Sequence, residues 1–188
     1  NTFYSNDADT GGAIYVDRSA PDIARNAISG NLASFHGGGV HIHNSSPSVD
    51  NNNIISNTAT IGGGGLSVDG HSWPRVVNNT LANNAVGLYG GGVYIEGAAP
   101  EFSNNLIRHN STGSVAGGVY MLNATPLLQN NTIVDNSPAS NGEGVYIAGT
   151  SSPLIVNNII ANNGQGVVVA GDAATPTVMR NNVWNNRA

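Results

Sequence analysis

The sequence predicts an all-β fold, a single-stranded parallel β-helix of about seven coils, and three periodic observations carry that expectation. Pro21, Pro47, Pro74, Pro100, Pro126, Pro153 and Pro176 are spaced by 26, 27, 26, 26, 27 and 23 residues, leaving only Pro138 outside the series. Two and seven places after each of these prolines stands an apolar residue, as in Ile23 and Ile28, Val76 and Leu81, or Phe102 and Ile107. Five and ten places after each stands an asparagine. The first asparagine column reads Asn26, Asn52, Asn79, Asn105, Asn131, Asn158 and Asn181, and the second runs from Asn31 to Asn186.

Upstream of each proline lies a glycine-led segment with alternating apolar residues: Ile14 and Val16, Val40 and Ile42, Leu66 and Val68, Val93 and Ile95, Val119 and Met121, Val145 and Ile147, Val167 and Val169. Period two marks a half-buried strand, and no helical periodicity lies between these segments. Each coil is therefore expected to hold three short strands separated by turn residues. Coils stacked at the strand spacing of roughly 4.8 Å would make a rod roughly 35 Å long. Asparagine tolerates left-handed backbone at a sharp corner, and identical amides stacked in register form a hydrogen-bonded ladder. The column from Asn26 to Asn181 is the expected corner ladder, because the column beside it is interrupted by Arg25 and Arg180.

The repeat covers residues 1–188 as a single domain that begins and ends within a coil. Phe3 and Asn6 fall on the last apolar and asparagine positions of a coil, and the chain stops shortly after Asn186. Uncapped coil ends are sheet edges, so end-to-end self-association into a fibre is one expectation. No leader sequence is read at the amino end, which suggests a mature or trimmed form.

Composition narrows the function classes. Only 9% of residues are charged and the net charge is −5, with six arginines and no lysine. Nucleic-acid binding needs clustered positive charge, which is missing, and no apolar run approaches a membrane span. The absence of cysteine excludes a disulfide framework without locating the protein.

The segments GGAI at 11–14 and FYSN at 3–6, with later equivalents such as LANN and IVDN, resemble the paired GGA-I and F-x-x-N repeats of polymorphic outer-membrane proteins. More broadly the chain is similar to the right-handed parallel β-helix superfamily, which includes pectate lyases, polygalacturonases, alginate epimerases and bacterial surface adhesins. The resemblance covers essentially the whole chain and implies a right-handed coil and an extracellular or cell-surface location. It implies little about activity, because the matching positions are those that build a coil. The acidic, glycine-histidine and arginine-lysine motifs of the polygalacturonases are missing as a set.

Between the apolar residues of the glycine-led strands, side chains are expected to face outward. One outward column reads Tyr15, His41, Ser67, Tyr94, Tyr120, Tyr146 and Val168. An exposed tyrosine stripe would suit sugar stacking on the face that the resemblance assigns to polysaccharide, while tyrosines also pair across sheets with no ligand. The next column reads Asp17, His43, Asp69, Glu96, Leu122, Ala148 and Ala170. Asp69 and Glu96 on adjacent rungs would raise one pKa or recruit a cation, and their spacing approaches the roughly 5 to 5.5 Å of retaining glycosidase carboxylates.

Asp69, Glu96, His41 and His43 are thus the candidate catalytic or metal-binding set, with Trp73, in a one-residue insertion, as a further ligand contact beside Tyr15, Tyr94, Tyr120 and Tyr146. No cofactor is required by this reading. The identity of any metal is left open: calcium is one candidate, although it wants more oxygen ligands than the pattern supplies, and zinc wants a tighter, closed set. The leading expectation is a secreted or cell-surface scaffold or adhesin that contacts a polysaccharide or surface glycan. A polysaccharide lyase, hydrolase or epimerase on the same face is the enzymatic alternative.

Overall fold

The computed structural model describes residues 1–136 and 142–187. Pro138 and the middle of the loop between Asn136 and Val145 lie outside the described residues. Among the described residues every strand pairing is parallel, and successive coils pair in constant register. The expected three strands per coil are all present. In the fourth coil they are Val93–Glu96, Glu101–Ser103 and Leu106–Arg108. A fourth strand of two residues follows the third from Asp7–Ala8 to Ser111–Thr112. The three main sheets hold seven, seven and eight strands, and the short strands form a sheet of five.

We call the sheet built from Ile14–Asp17, Val40–His43, Leu66–Asp69, Val93–Glu96, Val119–Leu122, Glu143–Ala148 and Gln165–Ala170 the lead sheet. Its alternating apolar residues point inward and join those of the other two main sheets in one continuous core from Val16 to Ile160. In the middle of the rod Ile42, Leu66, Ile95, Leu81, Met121 and Ile133 are completely buried. Each such side chain contributes roughly 1.5–3 kcal/mol relative to exposure, and each coil contributes several. Because a coil touches only its neighbours, this stability adds coil by coil.

The first asparagine column forms the expected ladder. Asn79 Oδ1 accepts from the backbone N–H of Asn52 at 2.8 Å and from Asn52 Nδ2 at 3.0 Å. Its own Nδ2 donates to Asn105 Oδ1 at 3.1 Å and to the Val49 carbonyl at 2.8 Å. The same pattern repeats from Asn26 to Asn181. The second column, read from sequence only as a periodic feature, is an equal ladder from Asn6 to Asn186.

One expectation is corrected in detail. The ladder asparagines are not themselves left-handed; the residue before each one is, at Arg25, Asn51, Asn78, Asn104, Asn130, Asn157 and Arg180, with φ between 55° and 57°. The bend comes first, and the next residue then points its amide inward. That is why arginine is tolerated beside the ladder and not within it: the left-handed residue faces solvent, where a long side chain costs little.

Asn105→Ala is expected to lose several buried hydrogen bonds and to strand the Val76 carbonyl, destabilising the fold by roughly 2–4 kcal/mol. Asn104→Ala, one residue earlier, loses only local left-handed preference, roughly 1 kcal/mol. Urea unfolding of the two variants checks the ranking, and equal effects would contradict the ladder.

Candidate functional site

The candidate residues meet on the outer face of the lead sheet. Constant register places His43 opposite Asp69, His41 opposite Ser67, and Tyr94 opposite Tyr120. Alternation along Val40–His43 sends His41 and His43 to the same face, so Asp69 on the next rung meets both. Its Oδ2 lies 3.0 Å from His41 Nε2 and its Oδ1 lies 2.5 Å from His43 Nδ1. His43 Nε2 in turn sits 2.7 Å from the side-chain amide of Asn44. His71 contributes only through its backbone N–H, which donates to Asn44 Oδ1 at 3.3 Å.

Burial pushes the Asp69 carboxyl up, but the hydrogen bonds and positive charge of His41 and His43 pull it further down, so it is held below the ordinary carboxylate range. Glu96 does not pair with it. The Glu96 carboxylate instead accepts the Tyr94 hydroxyl at 2.8 Å. The two acids therefore serve different partners, and the arrangement read from sequence as a carboxylate pair is two separate hydrogen-bonded groups.

The tyrosine column is not an exposed stripe, and this is the main correction to the sequence reading. Tyr94 is 5% exposed and Tyr120 8% exposed. Their rings stack at 5.6 Å, Tyr120 stacks on Tyr146 at 5.6 Å, and Tyr89, Val115 and Ala116 pack against them. The cover is the loop between the second asparagine and the lead strand. It turns sharply at Gly37, Gly63, Gly90 and Ala116, all left-handed, and its residues His36, Gly62, Tyr89 and Val115 stack in parallel as a layer of their own. Tyr146 is half-buried, while Tyr15 and Trp73 remain open at 51% and 70% exposure.

His36 is the residue that sequence reasoning missed. Ser67 is small, so the outward column has a gap between His41 and Tyr94. His36 fills that gap from the covering layer, 5.9 Å from the His41 ring and 5.4 Å from the Tyr94 ring. Gly62 makes this possible: a Cβ there would lie 2.8 Å from both His36 Nδ1 and Tyr94 Cγ. The available signal was a fixed offset, since His36, Gly62, Tyr89 and Val115 each stand four residues before the lead strand's first apolar residue. Burial, with the charge of His41, holds His36 below the usual histidine range.

Aromatic contacts thus continue from exposed Tyr15, edge-on to His41 at 5.3 Å, through His36 to the stacked rings of Tyr94 and Tyr120. The face divides into an amino-terminal polar half, centred on Asp69, and a carboxy-terminal half closed over stacked rings. Fold and site together define a parallel β-solenoid with one polar centre on its lead sheet. The chain matches the family model described as "Right handed beta helix region" over residues 1–119 and 62–188, and it belongs to that family. No curated protein and no solved structure matches it.

Burial raises the phenol pKa values of Tyr94 and Tyr120, reinforced at Tyr94 by its bond to Glu96 and at Tyr120 by neighbouring tyrosines. A tyrosine raised in the folded state stabilises the fold below its unfolded pKa of about 10, and that contribution is lost as pH rises through the folded value. Alkaline titration followed by phenolate absorbance is expected to release fewer than the six tyrosine protons while the protein stays folded. Release of all six before any loss of circular dichroism would contradict the covered column.

Proposed function

We propose that this chain is a secreted or cell-surface β-helix scaffold that contacts a polysaccharide or surface glycan at the amino-terminal half of its lead face. The observation that carries this reading is the exposed Tyr15 ring lying edge-on against His41, which in turn bonds Asp69. An exposed aromatic suits the apolar face of a sugar ring, and fixed polar groups beside it suit hydroxyls. Asp69 and half-buried His43 and Glu96 supply those groups. Exposed Trp73, past the corner that follows Leu66–Asp69, offers a second contact.

A rigid coil fits such a role. Two asparagine ladders fix the spacing of the rungs, so Tyr15, His43, Asp69 and Glu96 are held at set intervals on neighbouring rungs of the amino-terminal half. The buried tyrosines support the fold beneath the face and leave the contact to Tyr15 and Trp73. The enzymatic reading rests on the same residues, with Asp69 and His41 as the pair able to hold and move a proton.

Binding of acidic and neutral polysaccharides, followed by intrinsic fluorescence, tests the proposal. Tyr15→Ala and Trp73→Ala are each expected to weaken binding by roughly tenfold, the loss of one buried aromatic contact, and Tyr120→Phe to leave it unchanged. No binding to any polysaccharide, or equal effects of all three variants, overturns the glycan contact. Release of reducing or unsaturated ends that stops in Asp69→Asn would make the chain an enzyme.

A further inference from the structure

Asp69 gathers two imidazoles at one point of the lead face, and the donor atoms are those of a metal site. Nε2 of His41, Nδ1 of His43 and a carboxylate oxygen of Asp69 all lie within 4.8 Å of one another. A tetrahedral ion bound at about 2.0–2.2 Å separates its ligands by roughly 3.3 Å, within reach of small side-chain rotations on fixed strands. The sequence pattern alone lacked the tight set that zinc needs, and the register of the two coils supplies it.

We propose that His41 Nε2, His43 Nδ1 and the Asp69 carboxylate bind one divalent transition-metal ion of the zinc class, leaving a fourth position for water or a ligand oxygen. The donor set selects the ion. Imidazole nitrogen suits zinc, nickel, copper and iron, whereas calcium takes six to eight oxygens. Three protein ligands with an open fourth position is the arrangement of a site that engages a ligand rather than one that only braces the fold.

A second observation points the same way. Among the described residues three buried side-chain atoms lack a hydrogen-bond partner, His36 Nδ1, His41 Nδ1 and Ser67 Oγ, and the last two belong to residues that face each other on adjacent strands. When Nε2 of His41 binds a metal, its proton resides on Nδ1 and requires an acceptor. The Ser67 hydroxyl oxygen, on the facing rung, would be that acceptor once the two side chains turn toward each other, so the metal-bound tautomer would give both atoms a role. On the other side, His43 Nε2 lies 2.7 Å from the Asn44 amide, which offers its oxygen to the Nε2 proton once the amide turns over. The His71 N–H that Asn44 Oδ1 now accepts belongs to an exposed residue and can turn to water.

Access is open on one side. His43 and Asp69 side chains are 36% and 19% exposed, and His41 is 6% exposed at the back of the site. Glu96 is occupied by the Tyr94 hydroxyl and stands outside the set. The site lies beside Tyr15, so a sugar oxygen could take the fourth position, but the metal does not depend on the glycan reading.

Equilibrium dialysis of the untagged protein against Zn²⁺, with no glycan present, is expected to find one bound ion per chain, and Co²⁺ to give the visible absorption of a tetrahedral centre. His43→Gln and Asp69→Asn, checked for native circular dichroism, are expected to weaken binding by at least roughly a hundredfold, beyond what loss of an outer partner causes. Ser67→Ala is expected to weaken it by roughly tenfold, and His109→Gln, far along the rod, to change nothing. Absence of Zn²⁺ binding, binding that survives both ligand variants, or a preference for Ca²⁺ overturns the proposal. Because no sugar is present, these outcomes are separate from failure of the glycan contact.

Discussion

The rest of the structure depends on the stacked asparagine amide. A buried amide brings two donors and an acceptor into the core, and all of them must be satisfied there. In this chain each one is satisfied by the coil before and the coil after: the carbonyl takes a side-chain and a backbone N–H, and the amide nitrogen gives to the next carbonyl and to a strand end. A coil shifted by one residue would leave every one of these groups unpaired. The ladder therefore acts as a gauge as well as glue: alternation already forbids a slip of one residue, which would turn the apolar set outward, and hydrogen-bond satisfaction also forbids the slip of two that alternation alone would tolerate.

The gauge reaches the outer face. His43 stands opposite Asp69 because Val40–His43 and Leu66–Asp69 are in register, and that register follows from corners whose ladders run through both coils. The carboxylate then does what geometry allows: it accepts from both rings and stays ionised. Two coils further on, tyrosine replaces histidine in the same column, and the loop closes over it. One backbone frame thus supports a polar opening at one end of the face and a packed aromatic column at the other.

What was legible in the residues follows the same division. Inward positions repeat with every coil, so Ile28, Ile54, Leu81, Ile107, Ile133 and Ile160 announce a solenoid, and the asparagines announce its corners. Outward positions read as exposed because alternation says only that they leave the core. It does not say whether something lies on top. The cover over Tyr94 and Tyr120 comes from a loop rich in glycine, whose apolar contributions change from His36 to Gly62 to Tyr89 to Val115 and so carry no composition signal. The same blindness hid His36, whose importance depends on the missing side chain of Gly62. The ladder was placed correctly, and its left-handed residue was misplaced by one, because asparagine at both positions satisfies either role in most coils. Arg25 and Arg180, which looked like interruptions, mark the left-handed position.

Side-chain amide hydrogen exchange, resolved by NMR, tests the ladder account most directly. The Nδ2 protons of Asn52, Asn79 and Asn105 are expected to exchange orders of magnitude more slowly than those of Asn51, Asn78 and Asn104, and as slowly as the backbone N–H groups of the lead sheet. Equal exchange in the two sets, in protein that keeps its native circular dichroism, would mean that the amides do not hold the coils, and the register of the outer face would then need another cause.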